Sequence, residues 1–139
     1  MNTLIPYFNC TGRLLIAAIF LLSGLSKIAG YAATQSYMDS MGVPGTLLPL
    51  VIIFEISAAL AVIIGWQTRL FAFLLAGFCL LSAVIFHGNL SDRIQFIMFM
   101  KNLAIAGGFM FLVANGPGPL SLDSRRRWAL SGHPRLRCR

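Results

Sequence analysis

The sequence is poor in charge, and poorest in acidic charge. Only 11% of its 139 residues are charged, whereas about 25% is usual for a soluble domain. Four residues are Asp or Glu, against eleven Lys or Arg. With 58% hydrophobic residues and a mean hydropathy of +0.80, the chain cannot cover itself with polar surface. These numbers exclude a soluble globular protein and indicate one whose main solvent is lipid.

Residues that bind metals or redox groups are also scarce. The three cysteines, Cys10, Cys79 and Cys138, form no CxxC motif, and with His87 and His133 they give no zinc-binding spacing. A haem-ligand motif, an iron–sulfur spacing and a dinucleotide fingerprint are equally lacking. We therefore predict free thiols, no metal site and no redox centre held by the chain itself.

Long apolar segments dominate what is present. A membrane-spanning helix needs roughly 20 mainly apolar residues, and the qualifying segments are residues 11–28, 46–65, 69–87 and 94–115. Because lipid cannot bond to backbone amides, segments in so short a chain must be helices. The first is interpreted as a retained helix rather than a signal peptide, since three more spans follow. We predict an all-α integral membrane protein, a four-transmembrane-helix bundle over residues 1–123 with an Arg-rich tail over 124–139.

Basic residues are distributed unevenly around these spans. Lys27 and Arg93 fall on one side of the predicted bundle, and most arginines fall on the other. By the positive-inside rule we expect both termini to be cytoplasmic, and in a bacterial cell the other side would be the periplasm. The tail is expected to bind anionic lipids at the cytoplasmic face rather than nucleic acid. Its arginines are Arg125, Arg126, Arg127, Arg135, Arg137 and Arg139.

The first outer loop is predicted to contain a short amphipathic helix that lies in the membrane interface. One helical face carries its apolar and aromatic side chains, at Tyr31, Thr34, Tyr37, Met38 and Met41. Two interpretations stay open. The helix is either an ordered connection without a special role or a lid over the outer mouth of the bundle.

Polar side chains concentrate in the outer half of the predicted membrane domain, and the inner half has no comparable group. At 1.5 Å per residue, Glu55 lies about 12 Å and Lys101 about 10 Å from the outer ends of their helices. A charge at a helix centre costs about 2.5–3.5 kcal/mol, so we predict a Glu55–Lys101 ion pair. The candidate cluster is Lys27, Glu55, His87, Lys101 and Asn102, in a candidate pocket lined by Phe20, Phe86 and Phe99.

Each of these groups also has an ordinary interpretation. The Glu55–Lys101 pair could serve only to fix the register of two helices. Lys27 can extend its ammonium outward to the interface. His87 ends a helix beside Gly88, where it is either a plain interfacial histidine or a proton relay, since imidazole titrates near neutral pH.

Several stretches of the chain together resemble the DoxX family of small four-helix membrane proteins, over about residues 12–123. In order they are GLSKIAGYAATQSYMDSMGVPG, LPLVIIFEIS, TRLFAFLLAG, FHGN, MFMKNLAIAGGF and NGPGPLSLD. The likeness is greatest to a branch of bacterial inner-membrane proteins, and the tail from Ser124 lies outside the pattern. The residues on matching positions are Lys27, Glu55, Arg69, His87, Lys101 and Asn102.

The resemblance implies two classes of function. Some members are membrane subunits of thiosulfate:quinone oxidoreductase, and others are linked to defence against quinones, catechols or oxidative stress. They imply at most an oxidoreductase subunit, with a quinone as ligand and a redox protein as partner. Distant eukaryotic relatives act as membrane chaperones or cargo receptors, which implies a non-enzymatic assembly module, and a homo-oligomer fits either class. A small transporter is a third alternative, although four helices leave it little room.

Overall fold

The structure, a computed structural model, describes residues 4–131, with side chains to residue 126. This range contains no β-strand and folds into α-helices with one short 3-10 turn at Gly45–Leu47. The helices are α1 (Ile5–Ala29), α2 (Tyr31–Ser40), α3 (Leu48–Ile64), α4 (Thr68–Phe86), α5 (Arg93–Asn115) and α6 (Leu122–Ser131). Four segments are long and apolar enough to cross a membrane, namely α1, Gly45–Ile64, α4 and α5. The predicted four-transmembrane-helix architecture is confirmed.

The predicted span boundaries hold to within one residue except at the start of the first span. That helix begins at Ile5 rather than at residue 11, and it is 25 residues long. Pro6 lies in its first turn, where the missing amide hydrogen removes no helical bond. Apolar Tyr7 and Phe8 then continue the helix beyond the stretch that hydropathy alone marks as a span.

The four long helices form a ring in which every neighbour is antiparallel. α1 packs against α3, α3 against α4, α4 against α5, and α5 returns to contact α1. This is the up-down-up-down topology of a four-helix bundle with short connections. As a consequence, α3 and α5 occupy opposite corners of the ring.

Small residues and phenylalanine rings fill the centre of the bundle. Ala17, Ala58 and Ala76 are fully buried, and such side chains let membrane helices approach closely. Phe20 of α1 lies at the middle of this core, with its ring centroid 6.4 Å from that of Phe78 and 5.5 Å from that of Phe109. Aromatic contacts therefore link α1 to both α4 and α5.

Helix α2 confirms the predicted short helix in the first connection, and it is held over the ends of α3 and α4. Met38 is buried in a small cluster with Leu48. The ring of Tyr37 stacks on Phe86 with a centroid separation of 5.7 Å. Asp39 accepts a 2.7 Å hydrogen bond from the backbone amide of Gly45. Its role as a lid stays a prediction.

The chain turns sharply after α5. The helix ends at Asn115, and Gly116 follows with a φ of 78°, in the left-handed region that favours glycine. Six residues after Gly116, α6 begins at Leu122. The predicted start of the tail at residue 124 therefore falls inside a helix that returns to the bundle.

Candidate functional site

The most deeply buried charged group of the outer half is Glu55, and it is paired with Lys27. Lys27 Nζ donates to both carboxylate oxygens of Glu55, at 2.9 and 2.8 Å. It also donates to Ser23 Oγ at 2.6 Å, and that hydroxyl donates in turn to Glu55 Oε1 at 3.5 Å. The Glu55 side chain is 3% exposed and that of Lys27 is 23% exposed. Lys27 is therefore the more accessible member of the group.

A close approach of α1 and α3 creates this arrangement. Ser23 and Lys27 lie one turn apart on the same face of α1, and Gly24 lies between them. A Cβ at Gly24 would come within 2.7 Å of Ile56 Cγ1. The missing side chain thus lets α3 lie against α1, which brings Glu55 within bonding distance of the lysine one turn further on.

The predicted Glu55–Lys101 ion pair is wrong. Both residues lie at similar depth, but depth does not fix which helices are neighbours. Glu55 is on α3 and Lys101 is on α5, and these helices occupy opposite corners of the ring. Lys101 is exposed, and within the described part of the chain it makes no hydrogen bond or ion pair. Lys27, which the sequence leaves open as a member of the cluster or as an outward-reaching side chain, takes the role assigned to Lys101.

The opposite end of the bundle holds a second polar cluster, which corrects the expectation that this half has no comparable group. Arg13 of α1 is only 3% exposed. Its two terminal nitrogens donate 2.8 Å hydrogen bonds to the carbonyl oxygens of Pro117 and Leu120. Gly65 leaves the space for the guanidinium, since a Cβ there would lie 2.8 Å from Arg13 Nη1. Arg13 thus fastens the segment after α5 to α1.

Asp123 fastens the same segment to α4. Its carboxylate accepts hydrogen bonds from the amides of Gln67 and Thr68, at 2.8 and 2.9 Å, and from Thr68 Oγ1 at 2.9 Å. Its own amide donates to the carbonyl oxygen of Gly65 at 2.9 Å. A carboxylate at a helix N-terminus satisfies amides that have no helical partner and complements the helix dipole. The start of α6 is thereby fixed against the α3–α4 connection.

Two sequence signals could have indicated this inner cluster. GPGPLSLD leaves several backbone carbonyls without helical partners, and arginine carries five donors that can serve them. Asp123 is also one of only four acidic residues, and it follows an apolar span. In the sequence, however, Arg13 is only one of several basic residues that indicate orientation, and no local pattern ties a residue of the first helix to a turn after the last.

A family comparison matches the segment that holds the Lys27–Glu55 pair and Arg13. The model of the DoxX family matches residues 8–88, more than half of the chain. The chain belongs to the DoxX family. No solved structure gives a significant match.

Two Escherichia coli (strain K12) relatives cover most of this DoxX chain. The inner membrane protein YqjF is 48% identical over 118 residues, which is 84% of this chain and 91% of that protein. The inner membrane protein YphA is 35% identical over 127 residues, 86% of this chain and 91% of that protein. Together with the four apolar helices, these matches show a multi-pass inner-membrane protein of the DoxX family, in the branch expected from the sequence.

The DoxX match covers α1 to α4 and ends just after His87. It therefore contains the whole Ser23–Lys27–Glu55 group together with Arg13. Lys101 and the rest of α5 lie beyond it. The ion pair is thus a feature of the matched segment, whereas the exposed lysine belongs to the part of the chain outside that match.

The other predicted polar residues have separate partners. His87 Nδ1 lies 2.7 Å from Gln95 Oε1, a contact that joins the end of α4 to the first turns of α5. Asn102 Nδ2 donates to the carbonyl oxygen of Met98 at 3.0 Å, within its own helix. Neither makes a hydrogen bond with Glu55 or Lys27 among the described residues. The structure therefore separates the predicted cluster. Lys27 and Glu55 form an ion pair, His87 contacts Gln95, Asn102 bonds within its own helix, and Lys101 has no partner among the described residues.

The three phenylalanines of the predicted pocket do not surround the ion pair as a set. Phe20 belongs to the central core, and Phe86 packs under Tyr37 of α2. Phe99 is half-buried on α5. Two cavities instead mark the inner end of the DoxX bundle. One of about 270 Å³ is lined by Arg69 and residues 115–119, and one of about 740 Å³ lies between α3, α4 and α6.

The predicted tail arginines are only partly within the described structure. Arg125 and Arg126 are exposed on α6. The side chain of Arg127 and the whole of Arg135, Arg137 and Arg139 lie outside the described residues, as does Cys138. Cys10 and Cys79 are free thiols, as predicted.

Chemically, the Lys27–Glu55 group offers one ammonium and one carboxylate in a low-dielectric site. The lysine can donate a hydrogen bond to an oxygen acceptor that enters from the outer side. The glutamate can take or release a proton when the pair opens. Both actions require the pair to separate first, because each carboxylate oxygen is already occupied by Lys27.

Replacing Lys27 by methionine should destabilise the protein far more than the same change at Lys101. Lys27→Met leaves Glu55 buried without its counter-charge, and we expect a loss of about 3 kcal/mol in the free energy of unfolding, as is typical of a broken buried pair. Lys101→Met removes no hydrogen bond or ion pair among the described residues and should change the free energy of unfolding by less than about 0.5 kcal/mol. Unfolding of the purified protein in mixed detergent micelles measures both.

The double variant Lys27→Met/Glu55→Gln completes this comparison. It should regain part of the loss, because it removes the unpaired carboxylate. Equal destabilisation by Lys101→Met and Lys27→Met would show that the lysines have been assigned to the wrong roles.

Proposed function

We propose that the protein is a membrane subunit that acts through a partner membrane protein, which it binds with the outer half of α5. The observation that carries this proposal is Lys101. It lies inside a membrane-spanning helix, is exposed, and has no partner among the described residues. Ionisable residues inside membrane spans are rare and usually serve a function. The lysine needs an acceptor, and the described residues of this chain do not provide one.

The acidic residues of the chain support a different protein as the partner rather than a second copy. The chain has four, and each carboxylate already accepts bonds within its own chain. Asp39 accepts from Gly45, Glu55 from Lys27, Asp92 from the first amides of α5, and Asp123 from α4. A second copy would therefore bring the same engaged groups. A partner helix with its own carboxylate or amide oxygen would satisfy Lys101.

Small residues on the exposed face of α5 near Lys101 leave room for another helix. Ala104 and Gly107 follow it along the same exposed side of α5. A Cβ at Gly107 would meet no atom within 4 Å, so this face is open. Small residues on such a face allow a partner helix to approach closely. By contrast, α5 reaches α1 only further along, where Gly108 lies against Ile16.

Site-specific photo-cross-linking in cells tests the partner proposal. A photo-reactive amino acid at position 104 should cross-link one membrane protein, whereas the same group at Leu22, on the lipid-facing side of α1, should not. Lys101→Met should lower the yield from position 104 about tenfold, since a charge-assisted hydrogen bond contributes about 1.5–3 kcal/mol. Lys101→Arg should retain it.

The alternative explanation is that Lys101 extends its ammonium outward to the lipid headgroups. In that case the cross-links from position 104 would be absent, or would not respond to Lys101→Met. Cross-links that join only copies of this chain would replace the partner by a homo-oligomer.

A second candidate function is quinone binding at the Lys27–Glu55 pair, in a quinone-linked redox or stress-defence role. The specific observation in its favour is that Lys27 is bonded to Glu55 and still 23% exposed. Once the pair opens, a quinone oxygen entering from the outer side could accept a hydrogen bond from the ammonium, and Glu55 could exchange the protons that quinone reduction consumes. Electrons would have to come from a partner protein, so the two proposals are compatible.

Titration of the purified protein in nanodiscs with a short-chain ubiquinone tests this candidate. Glu55→Gln frees the ammonium from its strongest competitor and should tighten quinone binding by roughly tenfold, the effect of one charge-assisted hydrogen bond. Lys27→Met should abolish binding in the fraction that circular dichroism shows to be folded, and Lys101→Met should leave it unchanged. Wild-type protein that neither carries nor binds a quinone would rule the candidate out.

We also propose that both termini face the cytoplasm. The four antiparallel helices leave the start of α1 and the end of α5 at one end of the bundle, where Arg13 contacts Pro117. Most arginines belong to this end, which the positive-inside rule assigns to the cytoplasm. A green fluorescent protein fused after residue 139 should fluoresce and an alkaline phosphatase fused there should be inactive; the reverse pattern would invert the orientation.

A further inference from the structure

A groove of about 740 Å³ opens at the inner end of the bundle, between α3, α4 and α6. Its walls are apolar for most of their length and include Leu60 and Ile64 of α3 and Phe71 of α4. Trp66, from the α3–α4 connection, stands at one edge with its ring centroid 5.7 Å from that of Phe71. Tryptophan is enriched where a membrane protein meets the headgroup region. The groove therefore runs from headgroup depth into the apolar layer.

Two arginines lie at the mouth of this groove, on its α6 side. Leu122, Arg125 and Arg126 of α6 line it, and their spacing places them on one face of the helix. Both arginines are exposed, and neither guanidinium is held by a hydrogen bond or ion pair within the described residues. They are free to bind an anion.

The arginines are held at this position by the inner polar cluster. The bonds from Asp123 to α4 and from Arg13 to Leu120 fix the start of α6. The Asp123 carboxylate is directed at the amides of Gln67 and Thr68. No carboxylate lines the groove among the described residues. The mouth is thus positively charged and the interior is apolar.

We propose that this groove is a binding site for an acidic phospholipid. The phosphate binds Arg125 and Arg126, and an acyl chain lies along Leu60, Ile64 and Phe71. This occupant matches both halves of the surface. A free anion would leave the apolar walls unused, and a quinone carries no charge for the arginines. A guanidinium donates two parallel hydrogen bonds to phosphate oxygens, which fits two adjacent arginines at a headgroup.

The site differs from a general attraction between a basic tail and the membrane. Two positions on one helix face are placed over one groove, whereas unplaced arginines would act at any point of the surface. A test can therefore compare two variants that remove the same number of positive charges from different positions.

The test uses full-length protein in nanodiscs, on a Trp128→Phe background in which Trp66 is the one tryptophan left. Phospholipids with brominated acyl chains quench a tryptophan that they contact. Brominated phosphatidylglycerol should quench Trp66 at a mole fraction about 30-fold lower than brominated phosphatidylcholine, since each basic residue near a membrane surface contributes about fivefold. Arg125→Gln/Arg126→Gln should remove this preference.

The matched control is Arg135→Gln/Arg137→Gln, which removes the same charge from the end of the tail and should leave the preference intact. Equal loss in both double variants, or equal quenching by the two lipids in the unsubstituted background, would overturn the proposal. Glycerol phosphate, which has the headgroup charge without acyl chains, should not compete at the concentration where phosphatidylglycerol binds. Competition by glycerol phosphate or by ubiquinone would assign the groove to another ligand.

Discussion

Lipid offers no hydrogen bonds, so each polar group that this chain carries into the membrane needs a partner within the protein or beside it. The Lys27–Glu55 pair shows how the fold meets this constraint. Its carboxylate is almost completely enclosed, and both oxygens are bonded to one ammonium. The pair forms because Gly24 removes the side chain that would hold α1 and α3 apart. The ion pair therefore depends on the close packing of α1 and α3.

The same constraint shapes the opposite end of the bundle. After α5 the chain leaves helical geometry for several residues, and its carbonyls need donors. Arg13 provides them from α1, and Asp123 caps α4 in return. Residues far apart in sequence thereby join the first helix, the α3–α4 connection and α6. These bonds also hold Arg125 and Arg126 beside the apolar groove. The inner polar cluster thus positions the residues of the proposed lipid site.

Helix α5 departs most from this constraint, because it carries a charged group with no partner among the described residues. Its partners are mainly α4 and the inner half of α1, and it exposes a lysine that the other helices cannot reach. Lys27 and Lys101 carry the same charged group, yet among the described residues only Lys27 has an acceptor within the fold. This unsatisfied lysine is the basis of the proposal that the protein binds another membrane protein.

The sequence alone determined the composition-driven features: four spans, most of their limits, the short helix in the first connection, and the position of each polar residue along its helix. These follow from hydropathy and from a fixed rise per residue, which need no knowledge of neighbours. It did not determine the partner of Glu55 or the use of Arg13. Depth places a residue along the membrane normal only, whereas a contact also depends on helix rotation and on the order of helices around the ring. Rotation and order are set by the antiparallel ring and by the close contacts that Gly24 and Gly65 allow. These contacts join segments that are distant in sequence, so they exist only once the bundle has formed.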